Sequence, residues 1–195
     1  MPDKRLRTEI TLRDGRHATV RPLEPTDVEP LTAYFLGLSA DTRRRYGPHP
    51  FDLATAEVLC AAADDPETTR FVAALPGPRG EEIIAYMILT RSIWDDDRRR
   101  YGDASAAAIG EGCGCLAPSV ADAYQGQGIG GQMAGHVLRA ARILGLRRVI
   151  LMGGVQATNY RARRLYARLG FRRAGDFWVQ QGERHVFNYD MALDL

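Results

Sequence analysis

The stretch Ala123–Gln132, AYQGQGIGGQ, constrains the fold more than any other. Four glycines in ten residues favour neither a helix interior nor a strand interior, so the chain must turn there. The residues before it, EGCGCLAPSV, make a strand, irregular because of its glycines and Pro118. After it, apolar residues recur at Ile129, Met133, Val137, Ala140, Ala141 and Leu144, which is helical spacing. The local unit is therefore strand, glycine loop, helix. A loop in that place feeds a helix whose first N–H groups lack intrahelical partners, and those amides favour an anion.

The glycines fit two phosphate-binding patterns. Gly126, Gly128 and Gly131 spell G-x-G-x-x-G, the dinucleotide fingerprint, which calls for an acid about 20 residues on to hold a ribose. No Asp or Glu occurs from Ala123 to Gly175, where ten arginines do. The chain left after the loop is also too short for a doubly wound sheet. An arginine in place of the acid would suit a 2′-phosphate, so spacing alone leaves this pattern open. Gln125, Gly128 and Gly130 spell a second pattern, Q-x-x-G-x-G. This one makes a further demand, which the chain meets. NYRARRLYARLGF, an N-x-x-A-x-x-L-Y-x-x-x-G-F pattern, begins 29 residues after Gly130.

With both half-signatures in order, the segment from about Cys113 to Phe171 resembles the GCN5-related N-acetyltransferase (GNAT) superfamily. VRPLEPTDVEPLTAYFLGLS also resembles that family's first strand and helix. A weaker likeness is to its bacterial protein-lysine acetyltransferase subgroup. The resemblance implies an α/β fold with a mostly antiparallel, twisted mixed sheet, splayed at the family's fourth and fifth strands and flanked by helices. It implies acetyl-CoA as co-substrate, with Gln125, Gly126, Gln127, Gly128, Ile129, Gly130 and Gly131 cradling the pyrophosphate. Ser119, Val120 and Ala121 would meet the pantetheine arm, and Asn159 would bind the cofactor from the following helix. Tyr166 matches the family's general acid, which protonates the departing thiolate. Relatives place a basic Glu on the fourth strand. Here Glu111 is the carboxylate on offer, sharing a face with Cys113, Cys115 and Ala117 if the strand is regular. In the lysine-acetyltransferase subgroup the Glu stands ten residues before the cradle glutamine, where this chain has Cys115.

The rest of the chain reads as one domain over residues 1–195, without repeats or low-complexity linkers. Asp14-Gly15 marks a hairpin between TEITL and HATVRPL. Thr26 and Glu29 have capping-box spacing for a helix to about Leu38, Ser39 caps a short second one, and a third follows Asp52. TRFVAAL and EIIAYMILT form a hairpin, and Arg91–Ala108 reads as a polar loop. FRRAGDFWV and HVFNYDMAL close the chain as a hairpin around QQGE. The loops Leu38–Pro50 and Arg91–Ala108 are expected to frame the acceptor's entrance.

Composition excludes several classes. No apolar run approaches the length of a membrane span, and MPDKRLRTEITLRDG lacks a secretory apolar stretch. Three cysteines make no disulfide framework, and a cytoplasmic setting is expected. Cys113 and Cys115 have no partner at metal-ligand spacing, so they read as buried thiols and no metal is expected. The arginines lack an aromatic stacking platform, so no nucleic-acid partner is expected. The expected partners are acetyl-CoA and an amine acceptor, a small molecule or a protein lysine, with a homodimer in keeping with the family. The rival is a non-catalytic acyl-CoA-binding or sensing module on the same fold.

Overall fold

Asp14 and Gly15 turn the chain back on itself, with the Leu12 N–H donating to the Arg16 carbonyl at 2.8 Å. This joins β1 (Thr8–Thr11) to β2 (His17–Pro22), antiparallel with Ile10 opposite Ala18. The computed structural model describes residues 4–78, 80–104 and 109–195. They group into two compact units, each drawn from two stretches of chain.

The first unit comprises Met1–Leu89 and Ala117–Ala140. Its strands run in the order β1, β2, β3 (Thr68–Gly77), β4 (Gly80–Thr90) and the end of β5 (Cys113–Val120). Phe71–Leu75 and Ile83–Leu89 are buried without alternation, as strands covered on both faces must be. Helices α1 (Val28–Gly37), α2 (Ala40–Arg45) and α3 (Leu53–Ala61) precede β3. Ser39 Oγ accepts from the Thr42 N–H at 3.2 Å and Asp52 Oδ1 from the Thr55 N–H at 2.8 Å, so both predicted caps are in place. The start of α1 differs from the Thr26 capping box. A 3-10 turn, Pro25–Asp27, leads in, and the Glu24 N–H donates to Asp27 Oδ2 at 2.8 Å. Asp27 is fixed there by Arg21, whose guanidinium meets both its oxygens at 2.6 and 2.8 Å in a buried pair. That buried pair outweighs the T-x-x-E spacing.

The second unit comprises Thr90–Leu116 and Ala141–Leu195. Its strands run in the order β5, β6 (Arg148–Leu151), β9 (Arg184–Asp194) and β7 (Val155–Gln156), with β8 (Arg172–Gln181) on β9. The pairing of β5 with β6 is parallel and covers Cys113–Leu116, while β5 itself continues to Val120. The remaining described pairings are antiparallel. Helix α5 (Ile129–Ile143) enters from the first unit, and α6 (Tyr160–Arg168) lies between β7 and β8. Along α5, Ile129, Met133, Val137, Ala140 and Ala141 are buried as their spacing requires. Each large side chain among them contributes about 1.5–3 kcal/mol. The sheet is mixed and flanked by helices, the expected α/β class.

Three elements depart from expectation. Residues Asp95–Ala104 form a helix, α4, within the segment read as a polar loop, and 105–108 lie outside the described residues. Asp95, Asp96 and Asp97 stand in its first turn, where carboxylates suit the helix dipole. Arg99 pairs with Asp96 and Arg100 with Asp97, one turn apart. Second, β7 is two residues long and has no sequence period to betray it. Third, β5 starts at Cys113, and Glu111 falls in the turn before it. The Cys113 N–H donates to the Gly110 carbonyl at 3.1 Å, and Gly112 has φ +79°. The flanking glycines make a turn where a strand was expected.

Candidate functional site

The cradle belongs to the first unit. A 3-10 turn, Asp122–Tyr124, lifts the chain off β5, and Gln125 follows in extended conformation. Gly126 has φ +77° and Gly128 φ +88°, values that only glycine adopts without strain. Nothing lies within 4 Å of a side chain built at Gly126, and only Gln132 Nε2, at 3.9 Å, is near one at Gly128. The loop therefore keeps these glycines for backbone shape rather than for want of room. Ile129, Gly130 and Gly131 open α5, whose first N–H groups follow the two bends directly. Gln127 Nε2 donates back to the Ala123 carbonyl at 3.1 Å and stiffens the loop. Gln132 clamps the helix start to β1 by exchanging two hydrogen bonds with Thr11, Oε1 accepting from its N–H and Nε2 donating to its carbonyl.

Ser119, Val120 and Ala121 stand beside the cradle in the same unit. The Ser119 hydroxyl is paired with Tyr34 Oη at 2.6 Å, so what it offers a ligand is backbone. Tyr46 Oη donates to the Ala117 carbonyl at 3.3 Å. Gln125 Nε2 donates to Thr42 Oγ1 at 3.2 Å and to the Val120 carbonyl at 3.1 Å. Ser119 to Gly131, the segment expected to meet the cofactor, thus lies in one unit, and Tyr34 of α1, Thr42 of α2 and Tyr46 just past it make contacts with this stretch and its strand that the sequence reading missed. Signals for them were weak, because hydroxyl residues on helices have many uses.

Asn159, Tyr166 and Glu111 belong to the second unit. Asn159 caps α6, its Oδ1 accepting from the Ala162 N–H at 3.2 Å. The helix ends in a Schellman motif. The Phe171 N–H reaches the Tyr166 carbonyl at 2.9 Å, the Gly170 N–H reaches Ala167 at 3.1 Å, and Gly170 has φ +94°. Phe171 packs on Tyr166 with ring centroids 5.6 Å apart. The Y-x-x-x-G-F spacing is therefore a helix stop that locks the tyrosine ring. Tyr166 is 7% exposed, and burial pushes its phenol above the ordinary tyrosine range, so it stays protonated and able to donate. Glu111 is exposed, and its carbonyl accepts from Arg147 Nη2 at 2.9 Å.

The cysteines are buried and form no disulfide. Burial pushes Cys60 and Cys113 up to about 11 and raises Cys115 as well, so none is a ready nucleophile. Cys115 lies in an apolar cluster with Ile93, Tyr101, Cys113 and Ile150. Among the described residues no group of three His, Cys, Asp or Glu side chains could hold a metal ion. No helix among them is long and apolar enough to cross a membrane. At least four of the ten arginines have structural employment. Arg148 pairs with Asp194 at 2.6 Å, Arg173 with Asp176, Arg147 with the Glu111 carbonyl, and Arg163 with the Ala157 carbonyl at 2.8 Å. The positive stretch is thus less of an anion site than its composition implied.

The model of the acetyltransferase (GNAT) family matches residues 36–171. The chain belongs to this family. Among curated proteins no match is found. Solved GNAT structures share the fold. The GNAT domain of S. lividans PAT is 21% identical, with each chain covered in full and a TM-score of 0.68. The ribosomal-protein-S5-alanine acetyltransferase of Vibrio fischeri is 14% identical, with 95% of this chain and 97% of that one covered and a TM-score of 0.72. Salmonella typhimurium yncA, solved with its cofactor acetyl-CoA, is 17% identical over 91% of this chain and 93% of its own, with a TM-score of 0.64. GNAT enzymes use acetyl-CoA. The glycine loop of this GNAT chain fits such a ligand, because backbone amides at a helix start suit a pyrophosphate and no carboxylate stands from Ala123 to Gly175.

Proposed function

We propose that this GNAT protein is an N-acetyltransferase that moves the acetyl group of acetyl-CoA to a primary amine, of a small molecule or a protein lysine, by direct attack in a ternary complex. The observation that carries the reading is the pair of positive-φ glycines, Gly126 and Gly128, leading straight into the first N–H groups of α5. Gln125 to Gly131 would surround the pyrophosphate, with donation from the amides of Gly126 to Gly130, since the Gln125 and Gly131 N–H groups already donate to the Asp122 and Gly128 carbonyls at 3.3 and 3.1 Å; Ser119, Val120 and Ala121 would run along the pantetheine arm. Asn159 spends its oxygen on the helix cap, so Nδ2 is the group it would offer the cofactor.

Acetyl-CoA supplies an activated acetyl thioester. The acceptor nitrogen would form a bond to the carbonyl carbon as the carbon–sulfur bond breaks, the sulfur would take the proton of the Tyr166 phenol, and the surplus proton on the attacking nitrogen would pass to the phenolate, leaving the amide, the free thiol and the restored phenol. Glu111 would take the proton of the acceptor's ammonium, directly or through water, since an amine with an ordinary pKa near 10.4 is mostly protonated at neutral pH. The second reading, a non-catalytic acyl-CoA module, is favoured by one observation. The strand position where the protein-lysine subgroup has its Glu is here Cys115, a buried neutral thiol.

A panel of primary amines with acetyl-CoA, read as release of free coenzyme A thiol, separates the two. Transfer predicts release above the amine-free rate for at least one amine class. Saturable acetyl-CoA binding with no release for small amines, polyamines or lysine peptides supports the binding module.

A further inference from the structure

Helix α2 is six residues long, far below the length at which a helix holds itself in water. What holds it is a carboxylate from the loop that opens the cradle. Asp122 accepts three hydrogen bonds from the α2 start: the Ser39 N–H at 3.0 Å, the Ser39 hydroxyl at 2.7 Å and the Thr42 hydroxyl at 2.8 Å. Thr42 is a junction, because its oxygen also accepts from Gln125 Nε2 at 3.2 Å. Gln125 in turn holds the Val120 carbonyl at 3.1 Å. A continuous chain of hydrogen bonds therefore runs from β5 through Gln125, Thr42 and Asp122 into the first turn of α2. Tyr46, just past the helix, adds the bond to the Ala117 carbonyl.

The arrangement also explains why an acid is tolerated three residues before an anion cradle. Burial opposes ionisation of Asp122, but the N–H and hydroxyl of Ser39 and the Thr42 hydroxyl hold its carboxyl below the ordinary carboxylate range. Its charge is spent on the Ser39 amide and the Ser39 and Thr42 hydroxyls.

We propose that Asp122 and Thr42 are positioning residues that couple the cradle to the Leu38–Pro50 segment, so that a ligand ordering Gln125 also orders α2. The proposal rests on the reading of the loop as the acetyl-CoA cradle and of Leu38–Pro50 as the acceptor's side. The physical basis is shared ordering. Gly126 and Gly128 bring no side chains to hold the loop, and α2 is six residues long, so each gains order when a bond to it is added. Binding that fixes Gln125 makes Thr42 cheaper to fix, and Thr42 carries Asp122 and Ser39 with it.

The test is amide hydrogen exchange across residues 39–46 with and without saturating acetyl-CoA, in wild type, Thr42→Val and Asp122→Asn. Calorimetry on the same samples records binding. Thr42→Val keeps the side-chain volume but deletes the junction. Wild type should show about tenfold slower exchange in α2 on binding, as expected for one charge-assisted bond strengthened. Thr42→Val should bind acetyl-CoA and lose that protection, and Asp122→Asn should keep part of it. For any amine the panel identifies, Thr42→Val should raise the acceptor KM and leave the acetyl-CoA KM in place. Binding in wild type with unchanged α2 exchange overturns the coupling alone, as does equal protection in wild type and Thr42→Val. No binding in wild type overturns the cradle reading and the coupling with it.

Discussion

Replacing Gly128 with alanine tests the cradle at its bend. Gly128 sits at φ +88°, and a methyl group there meets nothing closer than Gln132 Nε2 at 3.9 Å, so crowding is absent. The cost is conformational, about 1–2 kcal/mol for an L-residue on that side of the map. Gly15, at φ +85° with nothing within 4 Å, is a matched control in the β1–β2 turn. Gly15→Ala should therefore lose about 1–2 kcal/mol in urea unfolding and bind acetyl-CoA as wild type does. In Gly128→Ala, whatever strain the loop escapes by relaxing must be restored when it closes on a ligand. Relaxation also swings the amides that follow. Stability should fall no further than in Gly15→Ala, and acetyl-CoA affinity should fall by roughly 5–30-fold, the same free energy expressed as a binding ratio. Paired urea melts and calorimetric titrations read both. A Gly128→Ala protein that binds acetyl-CoA as tightly as Gly15→Ala does would refute the reasoning.

Tyr166→Phe should lower turnover by about 10²–10⁴-fold with little change in acetyl-CoA affinity, read by thiol release and calorimetry, and unchanged turnover removes it as the acid. Glu111→Gln should abolish the dependence of turnover on a basic group, and an unaltered pH–rate profile excludes Glu111 as the base. Asp27→Ala leaves the buried Arg21 guanidinium to Glu81, at 2.5 Å, and takes the acceptor from the Glu24 N–H, so it should cost about 1–3 kcal/mol in urea unfolding, whereas a loss below about 0.5 kcal/mol would show that Glu81 and solvent replace it in full. Burial raises Asp97 and Asp190 against their ordinary value of 3.8. The unfolded chain therefore releases these protons first, and stability falls as pH climbs from the ordinary value through the raised native ones, then levels off. Asp97→Asn should flatten that fall relative to wild type across pH 3.5–7, and parallel curves would contradict the assignment.

What the sequence made legible is what local chemistry decides. The Asp14-Gly15 turn, the Ser39 cap, the helix that follows Asp52 and the strand–glycine loop–helix order around Gly126 and Gly128 are each set within a few residues, and each stands where its spacing placed it. What stayed hidden depends on partners far along the chain. The α4 sequence, DDDRRR, reads as solvated charge until Asp97 is seen to accept from the Gly153 N–H at 3.0 Å, and Arg100 to reach Asp190 and lie 3.9 Å over the Phe177 ring. β7 exists because Val155 and Gln156 find Tyr189 and Asn188 on β9. Thr42 was hidden because its partners, Gln125 and Asp122, come 80 or more residues later. Two misses were local: Arg21, six residues before Asp27, sets how Asp27 is used, and the glycines on either side of Glu111 outweighed the strand pattern around it.

The most direct test of the central claim is a calorimetric titration of the protein with acetyl-CoA, repeated in the presence of excess NADP. A cradle for coenzyme A predicts saturable one-to-one binding of acetyl-CoA that NADP leaves unchanged and that Gly128→Ala weakens. No saturable heat with acetyl-CoA, or its displacement by NADP, would contradict the account.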